Sequence, residues 1–226
     1  DYSFSFPFPY KEMNIRVDRK IILNGLLFKA KESKGLVFYL HGNAGSLAGW
    51  GYECSYYLES GYDFFIFDYR GFGKSQGKIR SEEELHSDIQ IVYDSLCSLY
   101  PENKITVIGY SIGTGLAAKL ASENHPDMLV LQAPYFSMKD LAKHYFSWVP
   151  SFVLRYPLRT DQFITRVKCP VYIFHGDADE VIYYESALKL KKICKPEDSL
   201  FTLYGQGHNG MNKNPVYREK MKTLLK

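Results

Sequence analysis

The chain has 226 residues, 46% hydrophobic and 23% charged, enough to bury ~70% or more of its unfolded surface in one domain without staples. A formal charge of +3 is too small to imply nucleic acid, which excludes that class of partner. The four cysteines, Cys54, Cys97, Cys169 and Cys194, form no C-x-x-C pair, so neither a zinc site nor a redox dithiol is expected, and no cofactor is called for.

The chain opens at Asp1 without a methionine, so a natural amino-terminal segment is expected to have been removed, and a targeting signal or membrane anchor could have gone with it. No apolar stretch approaches the ~18 residues of a transmembrane helix. Compartment and oligomeric state have no readable signal. Phe4, Phe6 and Phe8 alternate with Ser5 and Pro7, predicting an extended arm that buries aromatic area against the body. Residues 15–17 and 22–28, separated by Asp18-Arg19-Lys20, predict an antiparallel pair at a sheet edge.

After that pair the pattern changes. Strand-like apolar runs occur at 36–40, 63–67, 105–108, 128–131, 171–174 and 200–203, with helical stretches between most of them. Ser81-Glu82-Glu83-Glu84 is a capping box, and the helix after it is predicted to place Leu85, Ile89, Val92, Leu96 and Leu99 on one face. Ala187, Leu190 and Ile193 predict the buried side of a later helix whose solvated face carries Lys189, Lys191, Lys192 and Lys195. Near-continuous apolar strands alternating with helices imply an α/β fold with a mainly parallel sheet covered on both sides. Sites in such sheets lie at the carboxyl ends of strands.

The run 105–108 leads into Gly109-Tyr110-Ser111-Ile112-Gly113 and then a small-residue helical stretch. Ser111 is therefore expected on a tight strand-to-helix turn, with glycines where strand and helix pass too close for a Cβ. Between Ala133-Pro134 and Cys169-Pro170 the rhythm breaks. Tyr135, Phe136, Tyr145, Phe146, Trp148, Phe152 and Tyr156 crowd there. An excursion from a strand's carboxyl end can fold over a site as a cap and line an apolar pocket. We therefore expect one domain over 1–226 with a cap-like insertion at about 135–168. Tyr135, Phe136, Tyr145, Phe146 and Trp148 are expected to bind substrate.

A serine hydroxyl needs a base to take its proton and a carboxylate to orient that base. Residues 171–174 run into His175-Gly176-Asp177-Ala178-Asp179-Glu180, and of the six histidines only His208 follows, on Gly205-Gln206-Gly207. The order nucleophile, acid, histidine suits this sheet type. Asp179 lies far enough along its loop to turn back toward the base, and Asp177 is its competitor, with turn amides as the alternative use of that carboxyl. The oxyanion donors are expected to be the backbone N–H of Ile112 and of Asn43, with Ala44 behind it, in His41-Gly42-Asn43-Ala44-Gly45. His41 is expected to brace that loop.

On these residues the chain resembles the α/β-hydrolase superfamily over nearly its whole length, and most closely its HGNAG-type serine hydrolases, a group with membrane-anchored members and protein-deacylating relatives. The resemblance rests on His41 to Gly45, Asp68-Tyr69-Arg70-Gly71-Phe72-Gly73-Lys74-Ser75, Gly109 to Gly113, the His-Gly-x-x-Asp step ending at Asp179, and Gly207-His208. It implies the α/β-hydrolase fold, with about eight strands, and a Ser111, Asp179, His208 triad. By the same resemblance the 68–75 loop is structural. Tyr183 departs from the proline that many relatives carry after the acid loop. The expected function is hydrolysis of a carboxylic ester or thioester, with a lipid-like acyl group, through an acyl-enzyme. The alternatives are a serine peptidase of aminopeptidase type and a ligand-binding receptor that keeps the fold without turnover.

Overall fold

In the computed structural model of the protein, residues 2–146 and 156–225 are described. An eight-stranded sheet runs through the molecule in the order β1-β2-β4-β3-β5-β6-β7-β8. The strands are β1 (Tyr10–Arg16), β2 (Ile22–Phe28), β3 (Leu36–Leu40), β4 (Asp63–Phe67), β5 (Ile105–Tyr110), β6 (Met128–Gln132), β7 (Val171–Gly176) and β8 (Ser199–Leu203). β1 pairs antiparallel with β2, and β2 with β4, while β3 to β8 are mutually parallel. This is the expected α/β-hydrolase fold.

Helices cover both faces: α1 (Leu47–Trp50), α2 (Cys54–Glu59), α3 (Glu82–Cys97), α4 (Gly113–Glu123), α5 (Met138–Tyr145), α6 (Thr160–Ile164), α7 (Glu185–Ile193) and α8 (Pro215–Leu224). One core lies between the sheet and α3, α4 and α7, with Leu85, Ile89, Val92, Leu96, Leu116, Leu120 and Leu190 buried. The other lies under α2 and α8, with Tyr57, Tyr217 and Met221 against Phe28, Phe64 and Phe174. Each such side chain contributes ~1.5–3 kcal/mol on full burial, and strands buried on both faces read as continuous apolar runs because neither face meets water.

Local signals set the element ends. Ser81 Oγ accepts the Glu84 amide at 3.1 Å, as its capping box requires, while the Glu84 carboxylate takes the Arg80 amide at 2.9 Å. The arm before β1 lies over the second core, where Phe6 meets Phe28 edge-on at 5.3 Å and a Cβ on Gly51 would come within 2.4 Å of the Phe6 ring.

Three expectations need correction. Leu99 lies past the end of α3 and is 57% exposed, because the chain leaves the helix after Cys97 and its periodicity no longer points inward. Ile193, the last residue of α7, is exposed as well, since the helix end has already diverged from the sheet. β1 begins at Tyr10 and not at Ile15, because ladder pairing to β2 carries an edge strand through exposed Lys11 and Glu12 that apolar alternation does not reveal.

Candidate active site

Ser111 follows β5 directly and has a φ of 54°. For a residue with a side chain that left-handed conformation costs about 1–3 kcal/mol. Space explains the flanking glycines: a Cβ at Gly109 would sit 2.4 Å from the Gly113 carbonyl oxygen, and one at Gly113 would sit 2.1 Å from that of Leu40. The backbone of the turn is tied down on both sides. The Ser111 N–H donates to the Gln132 carbonyl at 2.9 Å, and the Thr114 amide and hydroxyl donate to the Ser111 carbonyl at 2.9 and 2.6 Å. The Ser111 hydroxyl then stands at the amino end of α4, where the helix dipole favours negative charge.

Two loops at neighbouring strand ends meet it. His208 Nε2 lies 3.1 Å from Ser111 Oγ, and His208 Nδ1 lies 2.8 Å from Asp179 Oδ2. Asp179 Oδ1 accepts the amides of Val181 and Ile182, both at 2.9 Å. Burial raises the proton affinity of the Asp179 carboxyl, but hydrogen bonds from His175, His208 and the Ile182 amide, with the charge of His208, outweigh it and hold the group well below the usual carboxylate range. An ionised Asp179 only accepts. His208 therefore carries its proton on Nδ1 and turns the Nε2 lone pair to the serine hydroxyl. Asp177, the competing acid, is spent elsewhere, accepting the Gly205 amide at 2.6 Å.

β3 and β5 are neighbours with Leu40 opposite Gly109, so the loop after β3 and the elbow after β5 emerge side by side. The loop's carbonyls face protein donors: His41 C=O accepts from the Tyr69 hydroxyl at 3.0 Å, Gly42 C=O from His41 Nδ1 at 2.7 Å, and Ala44 C=O from Trp50 Nε1 at 2.7 Å. The amides of Asn43 and Ile112 meet no backbone acceptor among the described residues. Two donors left free beside a serine can hold a developing oxyanion.

Three features of the site escape sequence reading. His175 is fully buried at the end of β7, its Nε2 2.8 Å from the Ile182 carbonyl and 3.3 Å from Asp179 Oδ2, and so it buttresses the acid loop. The Tyr110 hydroxyl lies 3.0 Å from both the His208 carbonyl and Asn209 Oδ1, fixing the histidine loop from the residue next to the serine. Beneath it, Tyr39 donates to Gln132 at 2.9 Å, Gln132 donates to Tyr217 at 2.5 Å, and the Tyr57 and Tyr217 hydroxyls pair at 2.9 Å. Gln132 ending the apolar run Met128-Leu129-Val130-Leu131 is the one sequence signal of that cluster.

The aromatic residues expected to bind substrate do not gather in one place. Tyr135 is 1% exposed, and its hydroxyl donates to the Ile112 carbonyl at 3.2 Å. It packs in the core beneath the elbow, which corrects its assignment as a pocket wall. Phe136 packs at the edge of the same core, its amide on Ser186 Oγ at 2.5 Å. Tyr145 and Phe146, 44% and 56% exposed, sit at the end of α5, with the Tyr145 hydroxyl 3.4 Å from the Glu180 carbonyl on the acid loop. Trp148 and Phe152 lie outside the described residues. A cavity of about 240 Å³ does open beside the histidine loop, but its lining is Tyr39, Trp50, Glu53, Tyr110, Gln132 and residues 209–213.

Among the described residues no His, Cys, Asp and Glu cluster is arranged to hold a metal ion, and no helix is long and apolar enough to cross a membrane.

A family described as serine aminopeptidase, S33, matches residues 31–160, more than half of the chain. Alpha/beta hydrolase domain-containing protein 17C of Xenopus tropicalis is 34% identical over 206 residues, covering 85% of this chain and 62% of that protein. The lysophosphatidylserine lipase ABHD12 of the same organism is 31% identical over 221 residues, covering 84% and 57%. The chain thus spans less than two thirds of the length of these relatives. Among solved structures, the Pyrococcus furiosus esterase Pf2001 superposes with a TM-score of 0.77 at 24% identity, over 96% of this chain and 92% of its own. Est1E of Butyrivibrio proteoclasticus, solved with ferulic acid, gives 0.77 at 22% identity, over 94% and 97%. The sheet order, the strained serine turn and the family match converge: the chain belongs to the serine aminopeptidase S33 family of α/β-hydrolases, a family of serine hydrolases.

Proposed function

We propose that the protein hydrolyses a carboxylic ester or thioester with a lipid-like acyl group through an acyl-enzyme on Ser111. The observation that carries this reading is the continuous path from Asp179 through His208 to Ser111, at 2.8 and 3.1 Å. Ser111 Oγ attacks the acyl carbon while His208 Nε2 takes its proton, and the carbonyl oxygen gathers charge against the amides of Asn43 and Ile112. Collapse of that intermediate breaks the bond to the leaving alcohol or thiol, which receives the proton from His208. Water, deprotonated by the same nitrogen, then frees the acid and restores the serine. Asp179 remains ionised and steadies the imidazolium that forms at each half-reaction.

A lipid-like acyl group is favoured by a relative named as a lysophosphatidylserine lipase. In this reading the described part of the cap-like insertion that lies beside the acid loop is the end of α5, where Tyr145 and Phe146 are exposed. The family description favours a second reading, peptide hydrolysis, by the same triad. Turnover of p-nitrophenyl esters from acetate to palmitate, run beside acyl thioesters and aminoacyl p-nitroanilides, separates the two. Esters or thioesters are expected to exceed anilides in kcat/KM, with an optimum chain length set by the cap. Anilide turnover equal to that of short esters would reverse the order.

A further inference from the structure

The carbonyl of Ser111 accepts two hydrogen bonds from one residue, the Thr114 amide at 2.9 Å and the Thr114 hydroxyl at 2.6 Å. The first is a backbone bond that any residue at this point of α4 could make. The second depends on the side chain. Thr114 is fully buried at the second position of the helix. A helical threonine readily bonds a carbonyl one turn back, and here that carbonyl belongs to the nucleophile.

Ser111 C=O and Ile112 N–H are the two polar groups of a single peptide, and no peptide among the described residues is cis. In a planar trans peptide they point in opposite directions. A donor that draws the carbonyl toward α4 therefore turns the Ile112 amide out of the helix's amino end, where it meets no backbone acceptor among the described residues. The peptide also follows a residue whose φ is 54°, a conformation that persists only where the surrounding structure over-determines it. Polarisation acts in the same sense as orientation. A carbonyl that accepts a second hydrogen bond makes the N–H of its own amide a stronger donor.

We propose that Thr114 is a positioning residue for the oxyanion site: its hydroxyl, donated to the Ser111 carbonyl, aims and strengthens the Ile112 amide. The proposal rests on the serine-hydrolase reading above for its kinetic consequence, but not for its geometry.

Two measurements test it. Thr114→Val keeps the shape of the side chain and deletes the hydroxyl, while the backbone amide still satisfies the Ser111 carbonyl. Its kcat is expected to fall ~10-fold with KM little changed, short of the ~100-fold to 1,000-fold that follows loss of a whole oxyanion donor. Affinity for a trifluoromethyl ketone that mimics the tetrahedral state should fall by a similar factor, because only that state uses the donor. Thr114→Ser, which retains the hydroxyl, should recover most of the loss. Thr106→Val is the control: it removes a buried hydroxyl on β5 that has no hydrogen-bond partner among the described residues, and it should leave kcat unchanged. A folded Thr114→Val protein with wild-type kcat, a Thr114→Ser protein no better than it, or an equal loss in Thr106→Val overturns the proposal.

The second measurement needs no variant and no turnover. In the wild-type protein the Thr114 hydroxyl proton is expected to exchange slowly with water and to show a coupling across the hydrogen bond to the Ser111 carbonyl carbon. A rapidly exchanging, uncoupled hydroxyl refutes the proposal even if the enzyme is active. A coupled hydroxyl in a protein that turns over no ester, thioester or anilide refutes the functional reading and leaves the aimed amide intact.

Discussion

Replacing Ser111 with alanine is expected to lower kcat for the best ester about a millionfold, with the fold unchanged. The serine is the sole atom donor to the acyl-enzyme in the proposed route, and its hydroxyl is the group 3.1 Å from His208 Nε2. His208→Ala should cost about as much, because a hydroxyl without a base is nearly inert at neutral pH. The double variant should be no worse than either single one. Residues that act as a unit lose their effect together, and the remaining ~10³–10⁴-fold over water comes from binding and the oxyanion donors. Alanine tolerates the φ of 54° no worse than serine does, so thermal midpoints should stay close to wild type. Losses that multiply in the double variant would show that serine and histidine act separately. Tight ligand binding unaffected by Ser111→Ala, in a protein without turnover on any ester, would instead favour a receptor.

Gly113→Ala is expected to be strongly damaging to both stability and the site. The added Cβ would lie 2.1 Å from the Leu40 carbonyl oxygen, 2.8 Å from its carbon and 2.9 Å from the His41 carbonyl oxygen. All three are backbone atoms of β3 and the loop after it, and no rotamer change relieves them. Either α4 moves off the sheet or β3 moves away from the elbow, and each separates the Asn43 amide from Ile112. The stability loss should reach the upper end of overpacking costs, about 3 kcal/mol or more. For a chain of this size that is a fall of roughly 6 °C or more in Tm. Gly205→Ala is the control: its φ is +69° but a Cβ there would meet nothing within 4 Å, so it should cost only the ~1–2 kcal/mol of a left-handed residue. Gly113→Ala with wild-type Tm and kcat would mean that strand and helix are not in the close contact described.

The serine turn is legible in the sequence because its steric demands fall on two glycines within five residues, Gly109 facing the Gly113 carbonyl and Gly113 facing the backbone of β3. The positions of Asp179 and His208 are legible for a topological reason, since in a parallel sheet each strand's carboxyl end delivers its loop to the same edge. Reach along the loop favours Asp179 over Asp177, whose carboxylate accepts the Gly205 amide at 2.6 Å. What was not legible depends on side-chain direction in irregular backbone. Tyr135 looked like a cap aromatic from its neighbours, yet the chain turns after Ala133, whose φ is 51°, and drives the ring into the core under Ile112. His175 carries no periodic signal at all. Its importance lies in the buried partners its ring meets, Asp179 and the Ile182 carbonyl, and the direction of a side chain within an irregular loop is fixed by packing.

The most direct measurement is mass spectrometry of the protein after reaction with a fluorophosphonate, with the adduct mapped to a peptide. The expected result is one adduct, on the peptide that carries Ser111, lost in Ser111→Ala and strongly slowed in His208→Ala. An adduct on another residue, or a Ser111 that stays unmodified while ester turnover continues, would contradict the proposed nucleophile.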